Sequence, residues 1–501
     1  MKQIYGSRER MLVIMALQEQ QPNIVMIMAD QMAFDVIGAL GHPVVKTPNI
    51  DRLVQSGVSF ENAYCNSPIC APSRASFVSG KFISNIGVYD NGSELSADTP
   101  TFLHHLRRAG YETVLSGKMH FVGPDQLHGF EHRLTRDIHT AGFDLTPDWS
   151  KGVYHNTGTG VKRLKNPGVM EINNNLDYDE KVLHRTLEQI RTFKRKKEEE
   201  KRPFFLCASF FHPHDPFHIT EEYWNMYEDL VIPMPEIPRE NVENMHPFNQ
   251  WIQTHHEVDI CDLSEDEIRR NRRAYYGMVT YFDQKVGQIV DELDRLDMKE
   301  NTIIVVTSDH GEMLGEHGMW FKRTFYDQAT KVPLIISCPK RFPAGKKVSE
   351  VVSLVDLAAT FMVLGDVPDR DKWIHEMDGD HLESLLVGKD DDWKDEVICE
   401  YYGEGPIQPL IMLRSGRYKF VYVHEEKPLL FDLVNDPHER NNLADSAEHQ
   451  AIVKKCYERI FSQFDMEQVK KDIIRSQQER LLVANSLGIG RKSSWDHKPN
   501  T

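Results

Sequence analysis

Cys70-Ala71-Pro72-Ser73-Arg74 is where this 501-residue chain concentrates reactive side chains. Proline suits the first turn of a helix, where its missing N–H costs nothing, and Gly80 is placed to stop that helix about two turns later. Cys70 is therefore expected at a helix mouth. Unpaired N–H groups and the positive end of the helix dipole favour an anion there, and Arg74 follows one turn on, on the same face. A planar five-donor cation beside a sulfur nucleophile suits a tetrahedral oxyanion such as a sulfate or phosphate ester. The plainer alternative is a buried free cysteine ahead of an ordinary helix.

A second set of residues could hold a metal ion. Asp30, Asp309 and His310, with the amide oxygen of Gln31, offer hard oxygens and one imidazole to a divalent cation. Taken singly, each Asp could equally cap the helix that follows it.

Residues so far apart need elements that bring them together. Asn23 to Ala29 is continuously apolar, as a strand buried on both faces must be, and runs straight into Asp30-Gln31. Thr113 to Ser116 leads to Lys118 and His120, Phe204 to Phe211 leads to His212 and His214, and Thr302 to Thr307 leads to Asp309-His310. In an open parallel sheet these carboxyl ends share one edge, where ligands bind. Apolar positions at helical spacing from Val182 to Phe193 and from Met278 to Leu293 supply the flanking layers. The fold class is a doubly wound, mostly parallel α/β domain. A proline-rich, acidic and aromatic stretch after the third strand, 212–262, reads as an active-site wall. Val332 to Ile336 reads as another strand and Val355 to Leu364 as a helix. Short alternating strands at 410–413, 418–423 and 429–433 then mark a smaller α+β domain. The expected organisation is an N-terminal extension over 1–20, a catalytic domain over 21–385, an α+β subdomain over 386–465 and a tail over 466–501.

Composition narrows the function. A net charge of −17 argues against nucleic acid, whose backbone requires a basic surface. Seven cysteines, an odd number scattered along the chain, do not form a disulfide framework. The N-terminal apolar run Met11 to Leu17 is short for a secretory core. No run approaches the roughly 18 apolar residues that span a bilayer, so a cytoplasmic protein with no membrane partner is expected.

Cys-x-Pro-Ser-Arg resembles the signature of the type I sulfatases. The resemblance covers nearly the whole chain and implies an alkaline-phosphatase-like fold, with Cys70 oxidised by a formylglycine-generating or sulfatase-maturating enzyme to formylglycine. One oxygen of the hydrated aldehyde would attack the sulfur of the ester, and residue 70 would join Asp30, Gln31, Asp309 and His310 around one divalent ion. Lys118, His120 and Lys322 match the family's sulfate-binding cations, and His214 aligns with its general acid, with His212 as the alternative. Sulfatases usually present paired Asp at the first strand and Asp-Asn at the later one. The Asp-Gln and Asp-His pairs here resemble the choline sulfatase and phosphonate monoester hydrolase branch, and the imidazole moves the preference from Ca²⁺ toward Mn²⁺. The stretches 116–130, 311–320, 416–420 and 493–496 look like choline sulfatases in particular, and 436–443 resembles a more general sulfatase motif.

That resemblance sets the expected reaction, cleavage of an alkyl sulfate ester, with choline sulfate first. The alternatives are another alkyl or aryl sulfatase, a phosphonate or phosphate diester hydrolase with the same centre, and a silent anion-binding homologue. A quaternary ammonium has no proton to donate and needs aromatic faces and carboxylates. Trp149, His155, Asn156, Glu400, Glu404 and Asp496 are the candidates for that cage, although each acid could be an ordinary surface group of an acidic chain. Choline sulfatases carry an aromatic where Leu145 stands, and the segment to His155 is shortened. The tail, with Leu481, Leu482, Leu487 and Ile489, is expected to pack on another subunit of a dimer or tetramer.

Overall fold

A computed structural model describes residues 21–156, 158–389, 392–490 and 494–499. The extension expected over 1–20 lies outside the described residues. An eight-stranded sheet forms the centre, in the order β10-β2-β9-β8-β1-β6-β3-β4. Its strands are β1 (Asn23–Ala29), β2 (Val58–Tyr64), β3 (Glu112–Gly117), β4 (His132–Arg133), β6 (Phe204–Ser209), β8 (Thr302–Ser308), β9 (Leu334–Ser337) and β10 (Lys346–Ser353). Two short strands, β5 (Gly168–Val169) and β7 (His218–Ile219), pair separately in the wall region.

β1, β3, β6 and β8 run parallel and are buried almost throughout, as their continuous apolar runs require. β9 is antiparallel to both neighbours, β2 and β8. Ala29 pairs with Ser308 and Gly117 with Ser209, so the residues after each strand leave the sheet side by side. Gly117 is held at φ 113°, and a Cβ there would lie 1.9 Å from the Ser209 carbonyl oxygen. Only glycine lets the chain turn so close to β6 just before Lys118.

One apolar layer packs on each face of the sheet. Helix Asn174–Arg195 buries Val182, Leu183, Ile190 and Phe193, and helix Glu265–Arg295 buries Met278, Phe282, Val286, Ile289 and Leu293. The second helix starts at a capping box between Ser264 and Glu267.

The smaller unit is an antiparallel sheet of β11 (Glu396–Tyr401), β12 (Leu410–Ser415), β13 (Tyr418–Val423) and β14 (Leu429–Asp432). Alternate residues face opposite ways: Val397, Cys399, Met412 and Val421 join the main core, while Ile398, Ile411, Leu413 and Phe420 pack under helix Gln450–Phe461. No helix among the described residues is long and apolar enough to cross a membrane.

The tail forms a helix, Met466–Leu487, that docks on its own chain through Ile473, beside Ile83, Tyr89, Trp149 and Tyr402. Leu482, Val483, Leu487 and Ile489 remain exposed.

Candidate active site

The Cys70 helix (Cys70–Ser79) is buried along its whole length, an unusual setting for a helix carrying Ser73, Arg74, Ser76 and Ser79. Each of those polar groups has a partner. Asn91 Oδ1 accepts the Ala71 N–H at 3.0 Å in the first turn, Ser73 Oγ donates to the Asp309 carbonyl at 2.6 Å, and Gly80 ends the helix at φ 70°.

Arg74 is the hub. Its Nε donates to Asp309 Oδ2 at 2.8 Å, Nη2 meets Asp30 Oδ2 at 3.3 Å, and Nη1 donates to the Lys118 carbonyl at 2.7 Å and Ser209 Oγ at 2.9 Å. Lys118 Nζ also pairs with Asp30 Oδ2. These contacts leave Asp30 Oδ1 facing Cys70 Sγ at 3.9 Å. His310 Nδ1 lies 3.0 Å from the Gly311 carbonyl, an acceptor, so that nitrogen carries the proton. The bare Nε2 then sits 3.2 Å from Cys70 Sγ.

Single ligand atoms of Asp30, Cys70, Asp309 and His310 all lie within 4.8 Å of one another in a fully buried cluster. Two carboxylates, a bare imidazole nitrogen whose tautomer is fixed by its own carbonyl partner, and residue 70 form a donor set that fits a divalent cation. Gln31 is turned elsewhere. Its amide oxygen takes Lys322 Nζ and its amide nitrogen reaches Asp215 and Glu312, so the expected fifth ligand bridges a cation to two acids instead.

Electrostatics concentrate on the sulfur. Burial raises the Cys70 thiol, but the Lys118 and Lys322 ammonium groups outweigh it and hold the group well below the ordinary thiol range. Burial likewise opposes ionisation of Asp309, and the Arg74 guanidinium more than reverses the effect.

Cys70 opens into a cavity of about 490 Å³ whose lining includes His120, Phe211, His214, Lys322, Arg323 and Glu404. His214 Nδ1 lies 2.7 Å from the Asp215 carbonyl, and its Nε2 2.7 Å from Lys322 Nζ. The carbonyl takes the Nδ1 proton, so Nε2 accepts from the lysine. His212 points away: its Nδ1 meets the buried Asp179 carboxylate at 2.7 Å, which fixes the start of the wall.

The cage candidates divide. Asn156 and Glu404 line the cavity. Trp149 does not; its indole N–H donates to the Gly403 carbonyl at 3.1 Å and its ring packs beneath the C-terminal helix. His155 pairs with Asp259 at 3.0 Å near the surface. Glu400 is fully buried, accepting from Tyr402 Oη at 2.7 Å and the Ser84 N–H at 3.2 Å. Asp496 accepts the Ala141 N–H at 2.9 Å and so braces a cavity loop without facing the cavity. In each case a polar partner distant in sequence takes the side chain.

Two contributors escaped the sequence reading. Arg323 is buried and donates from Nη2 to Glu404 Oε1 at 3.0 Å; its position next to Lys322 was the available signal. His139 also lines the cavity, and nothing in its neighbourhood in sequence marks it.

A mostly parallel sheet that gathers acids, cations and a helix-mouth cysteine on one edge defines the class of alkaline-phosphatase-like hydrolases. Residues 22–367 match the sulfatase family, and residues 315–465 match the C-terminal region of N-sulphoglucosamine sulphohydrolase. The chain belongs to the sulfatase family. It is 38% identical to a choline-sulfatase of Rhizobium meliloti (strain 1021), over 96% of this chain and 94% of that one. It is 30% identical to an arylsulfatase of Clostridium perfringens (strain 13 / Type A), over 86% and 92%. Among solved structures, phosphonate monoester hydrolase of Agrobacterium radiobacter superposes with a TM-score of 0.70 at 26% identity, over 88% of this chain and 95% of that one.

Proposed function

We propose that this protein hydrolyses a small alkyl sulfate ester, with choline sulfate as the leading substrate. The reading is carried by one juxtaposition. A sulfur position ringed by Lys118, Lys322 and His310 shares its cavity with Glu404, whose Oε2 is buried and has no partner. An anion-binding end and an unpaired carboxylate oxygen in one enclosure suit a molecule with a sulfate at one end and a cation at the other.

Formylglycine made from Cys70 by a maturating enzyme, together with one divalent ion (calcium, or manganese as the alternative) held by Asp30, Asp309, His310 and residue 70, would supply an activated oxygen nucleophile. The chain's own side chains do the rest. Arg74 locks Asp30 and Asp309 in register with the helix mouth. Lys118, His120 and Lys322 are placed to neutralise the ester oxygens, each worth of order 3 kcal/mol in a water-poor site. Lys322 can pass a proton to His214 Nε2, which then delivers it to the leaving alkoxide. Homo-oligomerisation through Leu482 and Ile489, exposed on the C-terminal tail, belongs to the same proposal, and a monomer in light scattering at micromolar concentration would remove it.

The test compares kcat/KM for choline sulfate with that for the isosteric neutral 3,3-dimethylbutyl sulfate. Glu404 and the Tyr154 ring, which lines the same cavity, should favour the cation by about tenfold or more. Equal values would end the choline assignment and leave the sulfatase chemistry standing. A phosphonate monoester hydrolase is the second reading, favoured by the Asp-Gln and Asp-His pairs and by the Agrobacterium structure. A phosphonate monoester turned over faster than either sulfate would select it.

A further inference from the structure

His120 poses a problem of orientation. Apart from the neighbouring Cys70 sulfur, neither of its ring nitrogens has a hydrogen-bonding partner in the protein, although the residue is buried. An imidazole usually has its ring plane fixed by a hydrogen bond from one nitrogen, as His310 and His214 do here through backbone carbonyls. His120 has no backbone carbonyl of that kind to anchor it.

Its ring instead lies flat against that of His139, with centroids 4.2 Å apart and planes 15° from parallel. His139 stands on the loop that follows β4 and lines the same cavity. The backbones of the two residues are tied to one carboxylate: Asp137 accepts the N–H of Met119 at 2.9 Å and of His120 at 2.8 Å through Oδ2, and the N–H of His139 at 3.2 Å through Oδ1. Arg133 pairs with the same carboxylate at 2.6 Å. His120 itself sits at φ 57°, a backbone conformation that L-residues adopt only where the surroundings hold them. Beyond His139, the Ala141 N–H is fixed by Asp496 and the Ala141 carbonyl by the Gly123 N–H at 2.8 Å. The loop is therefore braced on both sides of the imidazole.

From this geometry we infer that His139 is a positioning residue. It acts as an aromatic plate that sets the ring plane of His120, so that the free nitrogens of His120 face the ester instead of swinging about χ2. Burial, with Lys118 and His120 adding to it, holds His139 well below the usual imidazole range, so the plate is uncharged. A neutral π face can lie against a neighbouring ring that gains positive charge, which a second imidazolium could not. The role requires a flat ring and not a ring nitrogen, and this separates it from a substrate contact.

This inference rests on the proposed sulfatase reading, and its experiment has an arm that does not. Three full-length variants are compared with the wild type: His139→Leu fills the volume without a ring, His139→Phe keeps the ring without nitrogen, and His139→Tyr checks the second aromatic. In the formylglycine-bearing, metal-loaded protein, kcat on choline sulfate should fall about tenfold or more in the Leu variant, with KM little changed, and return to within about threefold of wild type in Phe and Tyr. In protein with an unmodified Cys70, which cannot turn over, histidine-selective NMR should show the His120 ring protons upfield in wild type and Phe, and moved downfield in Leu as the ring current is lost. Loss of turnover in Phe equal to that in Leu would overturn the inference, as would unaltered kcat in Leu or unmoved His120 signals. If no form hydrolyses a sulfate ester, the sulfatase reading falls while the NMR comparison still decides the role of His139.

Discussion

Individual side chains here are decided by partners that linear sequence does not display. Asp30, Asp309, His310 and Cys70 were legible because each directly follows an unmistakable strand or opens a marked helix, and such positions converge by topology alone. Trp149 and Glu400 were not, since a loop or short strand announces its residues without announcing which way they point. Glu400 shows the consequence. Burial pushes its carboxyl up to about 7, against hydrogen bonds from Tyr402 and Ser84 that favour the anion. An acid whose folded value lies above its unfolded one is protonated in the folded state at low pH and must ionise in a buried site as pH rises. The protein therefore loses stability from about pH 5 to pH 7, and the loss is complete above that window. Glu400→Gln keeps an acceptor and removes the ionisation. Its stability relative to wild type, read by urea unfolding, should be near equal at pH 5 and higher by about 1–3 kcal/mol at pH 8. A difference that does not change with pH would show that Glu400 ionises freely and put it back among the cage candidates.

Elements follow the sequence wherever burial is one-sided or complete. β1, β6 and β8 are uninterrupted apolar runs, and the helices 174–195 and 265–295 show clear periodicity, so both kinds of element could be located to within a few residues. β2 and β10 were missed because Glu61 and Asn62 in one and Lys346, Lys347 and Glu350 in the other interrupt the apolar pattern at the edge of the sheet. β11, with its buried Glu400, was missed for a related reason. The reversed direction of β9 carries no local signal at all, since parallel and antiparallel strands of four residues look alike. The Cys70 helix makes the sharpest claim at this scale. Its end depends on Gly80 at φ 70°, where a Cβ would also meet Met377 Sδ at 2.8 Å and Ala358 Cβ at 3.0 Å. Gly80→Ala should cost about 1–2 kcal/mol from the left-handed backbone alone, together with lost turnover as Cys70 and Arg74 shift. A variant of unchanged midpoint and activity would show that the helix mouth is not held from its far end.

At the scale of the whole molecule, the C-terminal helix closes the structure on itself. Arg480 is buried and grips Asp90 with two contacts, at 2.6 and 2.7 Å, while also reaching Thr146 Oγ1 at 3.0 Å. Asp90 adjoins Asn91, which accepts the Ala71 N–H in the first turn of the Cys70 helix, and Thr146 lines the same cavity. From the sequence the tail was expected to pack on another subunit; its helix instead docks on its own chain, held there by this ion pair, whose members are 390 residues apart. Arg480→Met leaves a buried carboxylate unpaired, so the loss should be about 3 kcal/mol or more, with partial recovery in Arg480→Met/Asp90→Asn. An additive double mutant would mean that the pair does not hold the tail. The central claim is that Cys70, once converted, and its metal cluster perform sulfate-ester hydrolysis. The most direct measurement is sulfate release from choline sulfate by protein produced with a formylglycine-generating enzyme, with the Cys70 peptide weighed in the same sample. Release should be in proportion to the fraction of peptide carrying formylglycine, with none from Cys70→Ala or from Asp309→Ala, which should also lose its bound metal. Release at the same rate from Cys70→Ala, or none from fully converted and metal-loaded wild type, would contradict it.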